Sequence, residues 1–157
     1  MLKYIFSLMF CLGVWGNVFS QNYKTAIPPF KIRLVNGSGF TYEQIDRHKP
    51  LILVYFSPTC EHCKAFTAAL LKRRKELIGR QIVFISFEDL KDVKDFDNLF
   101  HLSSNANMSI GSEGYTFVVQ KYYQIQKFPF VAVFNKKGTL VKVVSEKLAP
   151  EQMAEQI

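Results

Sequence analysis

An α/β layered sheet is the fold class this chain predicts, on three observations. Residues 51–56 and 81–87 are continuous apolar runs, the pattern of strands buried on both faces. Each run is followed by a stretch whose apolar residues recur at helical spacing. A hairpin pattern and a short last helix then close the chain, so strands and helices alternate as layered folds require. The 157 residues are 48% hydrophobic and include 15 Phe, which suits one domain with a filled core.

The first twenty residues read as an export signal rather than as part of that domain. Lys3 supplies a short positive start, residues 4–18 are mostly apolar, and Val18 and Ser20 stand at the −3 and −1 positions of a cleavage site before Gln21. The run is short for a membrane span, so an uncleaved membrane anchor is the alternative. Cleavage removes Cys11 and leaves 21–157 as the mature domain.

Residues 30–35 alternate apolar and basic side chains, a half-exposed strand, and Asn36 to Gly39 form a turn. Thr41 opens a short helix, with Gln44 three residues on. After the strand 51–56, residues 64–78 read as a helix with Phe66, Leu70 and Leu77 inward and Gly79 as its C-cap. The strand 81–87 follows. A helix over 90–102 is expected to turn Val93, Phe96, Leu99 and Phe100 to one face. The Ser/Asn/Gly-rich residues 103–114 read as a loop and 115–123 as a helix. A strand over 130–134, a turn over 135–138 and a partner strand over 139–144 make a hairpin, and Pro150 stands near the start of the last helix.

The net charge of +7 raises the question of a nucleic-acid partner. Its basic residues are scattered. The one run, Lys72 to Lys75, falls on a predicted helix without interleaved aromatics, which is a solvated face. No nucleic-acid partner is expected.

Cys60-Glu61-His62-Cys63 carries the chemistry. The pair lies between a buried strand and a helix, with Ser57-Pro58-Thr59 as the turn. Backbone N–H groups and the helix dipole at that start favour a thiolate on Cys60, the nucleophile, and Cys63 resolves the mixed disulfide. Structural zinc needs further ligands at fixed spacing, and c-type haem needs a His where Lys64 stands. A structural disulfide would close too short a loop to remove much chain entropy. No cofactor and no metal ligand set is expected. His62 stabilises a neighbouring thiolate and Glu61 opposes it, so both are expected to tune Cys60. His48 and His101 lack partner motifs and read as surface residues.

Leu53 to Lys64, Lys127 to Phe134 and Lys136 to Gly138 together resemble the thioredoxin fold, and the lead from Ile27 to Gly39 resembles the N-terminal hairpin of the exported TlpA/ResA branch. The resemblance implies a thioredoxin-like three-layer α/β/α sandwich with a mixed sheet and an N-terminal β-hairpin extension. It implies that Phe128-Pro129 is a cis bond facing the cysteines, with the Phe128 backbone and Pro129 binding an extended substrate. Members of this fold carry an acid six residues before or after the first Cys to manage the proton of the second; here those places are Val54 and Phe66. Glu61, Glu88 and water remain open as acceptors for Cys63.

The function so implied is that of a periplasmic protein thiol–disulfide oxidoreductase. A reductase is favoured, acting on protein dithiol or disulfide substrates and recharged by a membrane electron donor. A disulfide oxidant or isomerase is the alternative within the class. Outside it stands a copper-handling chaperone of related fold, which usually spaces its cysteines CxxxC and adds a distal His.

Overall fold

A computed structural model describes residues 24–157. The expected signal over 1–20 lies outside the described residues, and among those described no helix is long and apolar enough to cross a membrane.

Three parallel strands form the centre: β3 (Leu51–Tyr55), β4 (Gln81–Ser86) and β5 (Met108–Ser112). β6 (Phe130–Phe134) runs antiparallel to β3, and β7 (Leu140–Val144) antiparallel to β6. At the far edge β1 (Lys31–Leu34) pairs antiparallel with β5 and with β2 (Gly39–Thr41). The result is one mixed sheet in the order β2-β1-β5-β4-β3-β6-β7. The expected N-terminal hairpin is β1–β2.

Side chains of a strand alternate between faces, so one apolar run serves two cores. Ile52, Val54, Phe84 and Val131 join the core beneath α1 (Glu61–Lys72), α2 (Leu90–Phe100) and α4 (Pro150–Glu155). Leu51, Leu53, Tyr55, Val83 and Phe130 join the opposite core, covered by α3 (Val118–Tyr123) and the N-terminal lead. Helices on both faces make the expected three layers. Phe66 and Leu70 of α1 are fully buried, each contributing roughly 1.5–3 kcal/mol of transfer free energy.

Four local expectations need correction. Residues 103–114 are not all loop, because β5 occupies 108–112. Gly111 is the reason: a methyl there would collide with the Arg33 backbone, so β1 and β5 can pair only with glycine at that place. The helix expected over 64–78 begins at Glu61 and stops at Lys72. Arg73 N–H turns back to Leu70 O and the Arg73 guanidinium reaches Ala154 O of α4 at 2.5 Å, which ends the helix in a turn. The Thr41 helix is one 3-10 turn, Tyr42–Gln44. On α2, Leu99 is 61% exposed. Asp97 is buried in its stead and accepts from Ser103 N–H at 2.8 Å, which closes the turn after the helix.

Candidate redox site

Cys60 is the N-cap of α1, in extended conformation, and its sulfur accepts from the Cys63 N–H at 3.4 Å. The chain reaches this cap through Ser57-Pro58-Thr59 because β3 ends at Tyr55 and Phe56 N–H still bonds Ile85 O of β4. The strand therefore aims the turn, and the turn aims the helix start. Cys60 is half-buried and Cys63 is fully buried; both are free thiols. One turn into a helix lies below its cap, so the two sulfurs differ in access by position alone.

The Phe128–Pro129 bond is cis, directly before β6. The Cys60 thiol donates to Phe128 O across 3.8 Å. This brings Cys60, Cys63, Phe128 and Pro129 to one end of the sheet. The Phe128 ring lies 5.9 Å from Tyr55 and 5.7 Å from Phe87, so an aromatic shelf continues from that carbonyl. Glu61 and His62 are exposed, and Glu61 is paired with Lys64 at 2.7 Å, which offsets its charge at the helix surface. His48 and His101 are exposed, far along the chain from these groups.

Burial pushes the Cys63 thiol well above its ordinary range. A hydrogen bond with the Ser57 backbone works against that rise, while Cys60 and the charge of Glu88 add to it. Ser57 Oγ donates to Glu88 Oε1 at 2.5 Å and lies 3.1 Å from Thr59 Oγ1. Val54 and Phe66 are apolar core, as their side chains require. Sequence reasoning named Glu88 without placing it and missed Ser57; the contact joins residues from two strand ends, and nothing local announces it. Among the described residues no group of three or more His, Cys, Asp or Glu side chains is placed to hold a metal ion.

The profile of the thioredoxin-like domain matches residues 43–157, which is most of the chain. The chain belongs to the thioredoxin-like domain family. A search of curated proteins finds no match. Among solved structures the chain is similar to a secreted Mycobacterium tuberculosis disulfide oxidoreductase homologous to E. coli DsbE, at 18% identity and TM-score 0.66, over 82% of this chain and 96% of that one. It is similar to the peroxidoxin BcpB of the same organism at 13% identity and TM-score 0.70, over 85% and 93% of the two chains. A third similarity is to BsSco, of the Sco family of cytochrome c oxidase assembly proteins, at 15% identity and TM-score 0.62, over 84% and 91%. Likeness at this level is likeness of fold, and a fold hosts several chemistries. Function therefore has to be argued from the site.

Proposed function

We propose that this protein is an exported thiol–disulfide oxidoreductase whose redox pair is Cys60 and Cys63. The observation that carries the reading is the half-buried Cys60 at a helix cap, over a buried Cys63 and under the Phe128 carbonyl. The accessible sulfur attacks a substrate disulfide, an extended segment of the substrate pairs with the Phe128 backbone beside Pro129, and Cys63 resolves the mixed disulfide. Its partners are protein dithiols and disulfides.

Reductase is the favoured direction. Between Cys63 and Pro129 lie the rest of α1, β4, α2, β5, α3 and two 3-10 turns, so this stretch carries no large helical insertion of the kind that marks DsbA-type oxidants. Glu61 opposes the stabilising effect of His62 on a Cys60 thiolate, and its pairing with Lys64 reduces that opposition without removing it. A reductase in an oxidising compartment needs a donor, and a membrane dithiol protein fits that need. The apolar run over 4–18 supports export, as does the secreted character of one disulfide oxidoreductase of similar fold, with residues 1–20 removed or kept as an anchor. The intact mass of protein from its native host separates those two.

The deciding experiment is the reduction potential of the Cys60–Cys63 pair in redox buffers, read with turnover of a disulfide substrate. The value expected is well below that of a DsbA-like oxidant, about −120 mV. A value near that figure, with fast oxidation of reduced unfolded protein, replaces reductase with oxidant. Absence of a Cys60–Cys63 disulfide under any poise removes the oxidoreductase reading itself.

A further inference from the structure

We propose that Phe87, Phe117 and Phe128 form a subsite that selects substrates by a large apolar side chain close to their reacting cysteine. The proposal rests on the exchange reading above and adds to it the class of substrate. That class is an extended segment with a large apolar residue, aromatic best, two places from its cysteine.

Phe117 breaks two local rules at once. It is the residue before α3, a place that favours Ser, Thr, Asn or Asp, whose side chains accept from the first N–H groups of a helix. Phe117 makes no such bond, and Glu113 accepts from Val119 N–H in its stead. The Phe117 backbone is left-handed, at φ 52° and ψ 34°. That conformation suits glycine and is rare for a bulky side chain. Strain of this kind persists only where the surroundings enforce it, and it gathers at sites of function.

Core packing does not account for the ring. Phe117 is half-buried and lies outside both cores. On its outer side stand Tyr115, which is 75% exposed, with ring centroids 6.2 Å apart, and Lys121, whose Nζ is 5.7 Å from the ring centre. Lys121 Nζ is itself held by Thr116 O at 3.3 Å. Towards the redox pair the Phe117 ring meets Phe87 at 5.6 Å, and Phe87 meets Phe128 at 5.7 Å. The row thus ends at the residue whose carbonyl lies 3.8 Å from Cys60 Sγ. It is continuous with the place where a substrate backbone pairs.

The three rings come from separate parts of the chain. Phe87 follows β4 directly, Phe117 precedes α3, and Phe128 stands two places before β6. All three are half-buried, and contiguous apolar surface left open in this way marks a contact site. In an extended segment, residues two apart share a face and lie about 6.6 Å from one another. A side chain two places from a cysteine bonded to Cys60 therefore falls about one ring step along the row. An aromatic side chain there can meet the row in offset or edge geometry, and rings already fixed lose little freedom on contact.

The test uses short peptides with one cysteine and either Phe or Ala two places to each side of it, joined as symmetric disulfides. In each turnover the Cys60–Cys63 pair gives up two electrons and two protons and closes its disulfide, and two peptide thiols leave. The readout is the ratio of second-order rate constants, Phe peptide over Ala peptide, so each variant carries its own reference. Wild type is expected to show a ratio of about ten. Phe117→Gly and Phe117→Asn both suit left-handed backbone, so they should bring the ratio near one while the urea midpoint holds or rises. Phe117→Tyr should keep the ratio. A wild-type ratio near one, a ratio that survives in both Phe117→Gly and Phe117→Asn, or one that collapses in them only together with a fallen midpoint overturns the proposal. Failure of the exchange reading is a separate result, in which wild type reduces neither peptide. The subsite is then read from binding, with Ser in place of the peptide cysteine and the Phe ring signals followed by NMR. Shifts with the Phe peptide that are lost in Phe117→Gly support the subsite, and their absence in wild type overturns it.

Discussion

Glu113 and Glu88 stand just past the ends of neighbouring strands and line one cleft, and the sheet uses them differently. Glu113 is buried at the end of β5, where its oxygens accept from Tyr55 OH at 2.7 Å and Val119 N–H at 3.1 Å. It thereby fastens β3 to the first turn of α3, and both oxygens are committed. Glu88, at the end of β4, is only half-buried and accepts from one hydroxyl beside the redox pair. A carboxylate held by a strand and a helix start is a structural fastener. One that is half-buried and accepts from a single hydroxyl contributes less to holding the fold. The difference lies in the partners, since the residue type is the same.

The sharpest way to break this contrast is to remove chemistry from one face and watch the other. Cys60→Ser is expected to abolish disulfide exchange while leaving the urea midpoint within experimental scatter, because the cap oxygen can still accept from the Cys63 N–H. Cys63→Ala should retain the first attack and stall there, so that mixed disulfides with substrate accumulate on non-reducing gels. Turnover surviving in Cys60→Ser would mean that the accessible sulfur is not the nucleophile.

Glu113→Ala carries the opposite signature. It strands the Tyr55 hydroxyl and the Val119 N–H in an enclosed site, a loss of about 3 kcal/mol of stability. Exchange measured on the folded fraction should be unaltered, because the redox pair belongs to the other face. Tyr55→Phe removes one bond of the same set and should cost about 1 kcal/mol. Equilibrium unfolding in urea reads both. A variant of Glu113 that keeps full stability but loses exchange would refute the structural role assigned to this acid.

These roles were unequally visible in the sequence. The runs that became β3, β4 and β6 are apolar on both faces, and that alone predicts a central position. The cysteine pair and Phe128-Pro129 announce themselves by residue type. β5 hid because contact with Arg33 demands glycine at 111, and Gly111 between Ile110 and Ser112 looks like a loop. The end of α1 hid because it depends on Arg73 reaching Ala154, far along the chain. Leu99 was given to the core because helical spacing does not know that Asp97 has Ser103 to bond. Ser57 with Glu88, and Tyr55 with Glu113, are joined by parallel strand ends, and only the register of β3, β4 and β5 brings them together. Period and composition report which residues are buried. They do not report which polar groups meet.

The smallest expected effect is also the most direct comparison of the two faces, because each carries a group that titrates away from its ordinary range. Burial raises the Glu113 carboxyl above its ordinary 4.5, and hydrogen bonds from Tyr55 and the start of α3 only partly offset that rise. The folded state therefore holds this proton more tightly than the unfolded chain does. Its contribution to stability is full below about pH 4.5 and is lost as pH rises through the folded-state value. Burial likewise raises the Cys63 thiol above its ordinary 9.0, so its window opens only in alkali. Urea midpoints at pH 4, 7 and 10 should separate the two. The margin of wild type over Glu113→Gln should shrink between pH 4 and 7, and the margin over Cys63→Ala should shrink only above pH 9. Each slope is limited to about 1.4 kcal/mol per pH unit for a single proton. A margin over Glu113→Gln that stays constant from pH 4 to 7 would mean that the carboxyl is charged throughout, held by its donors as firmly as burial opposes it.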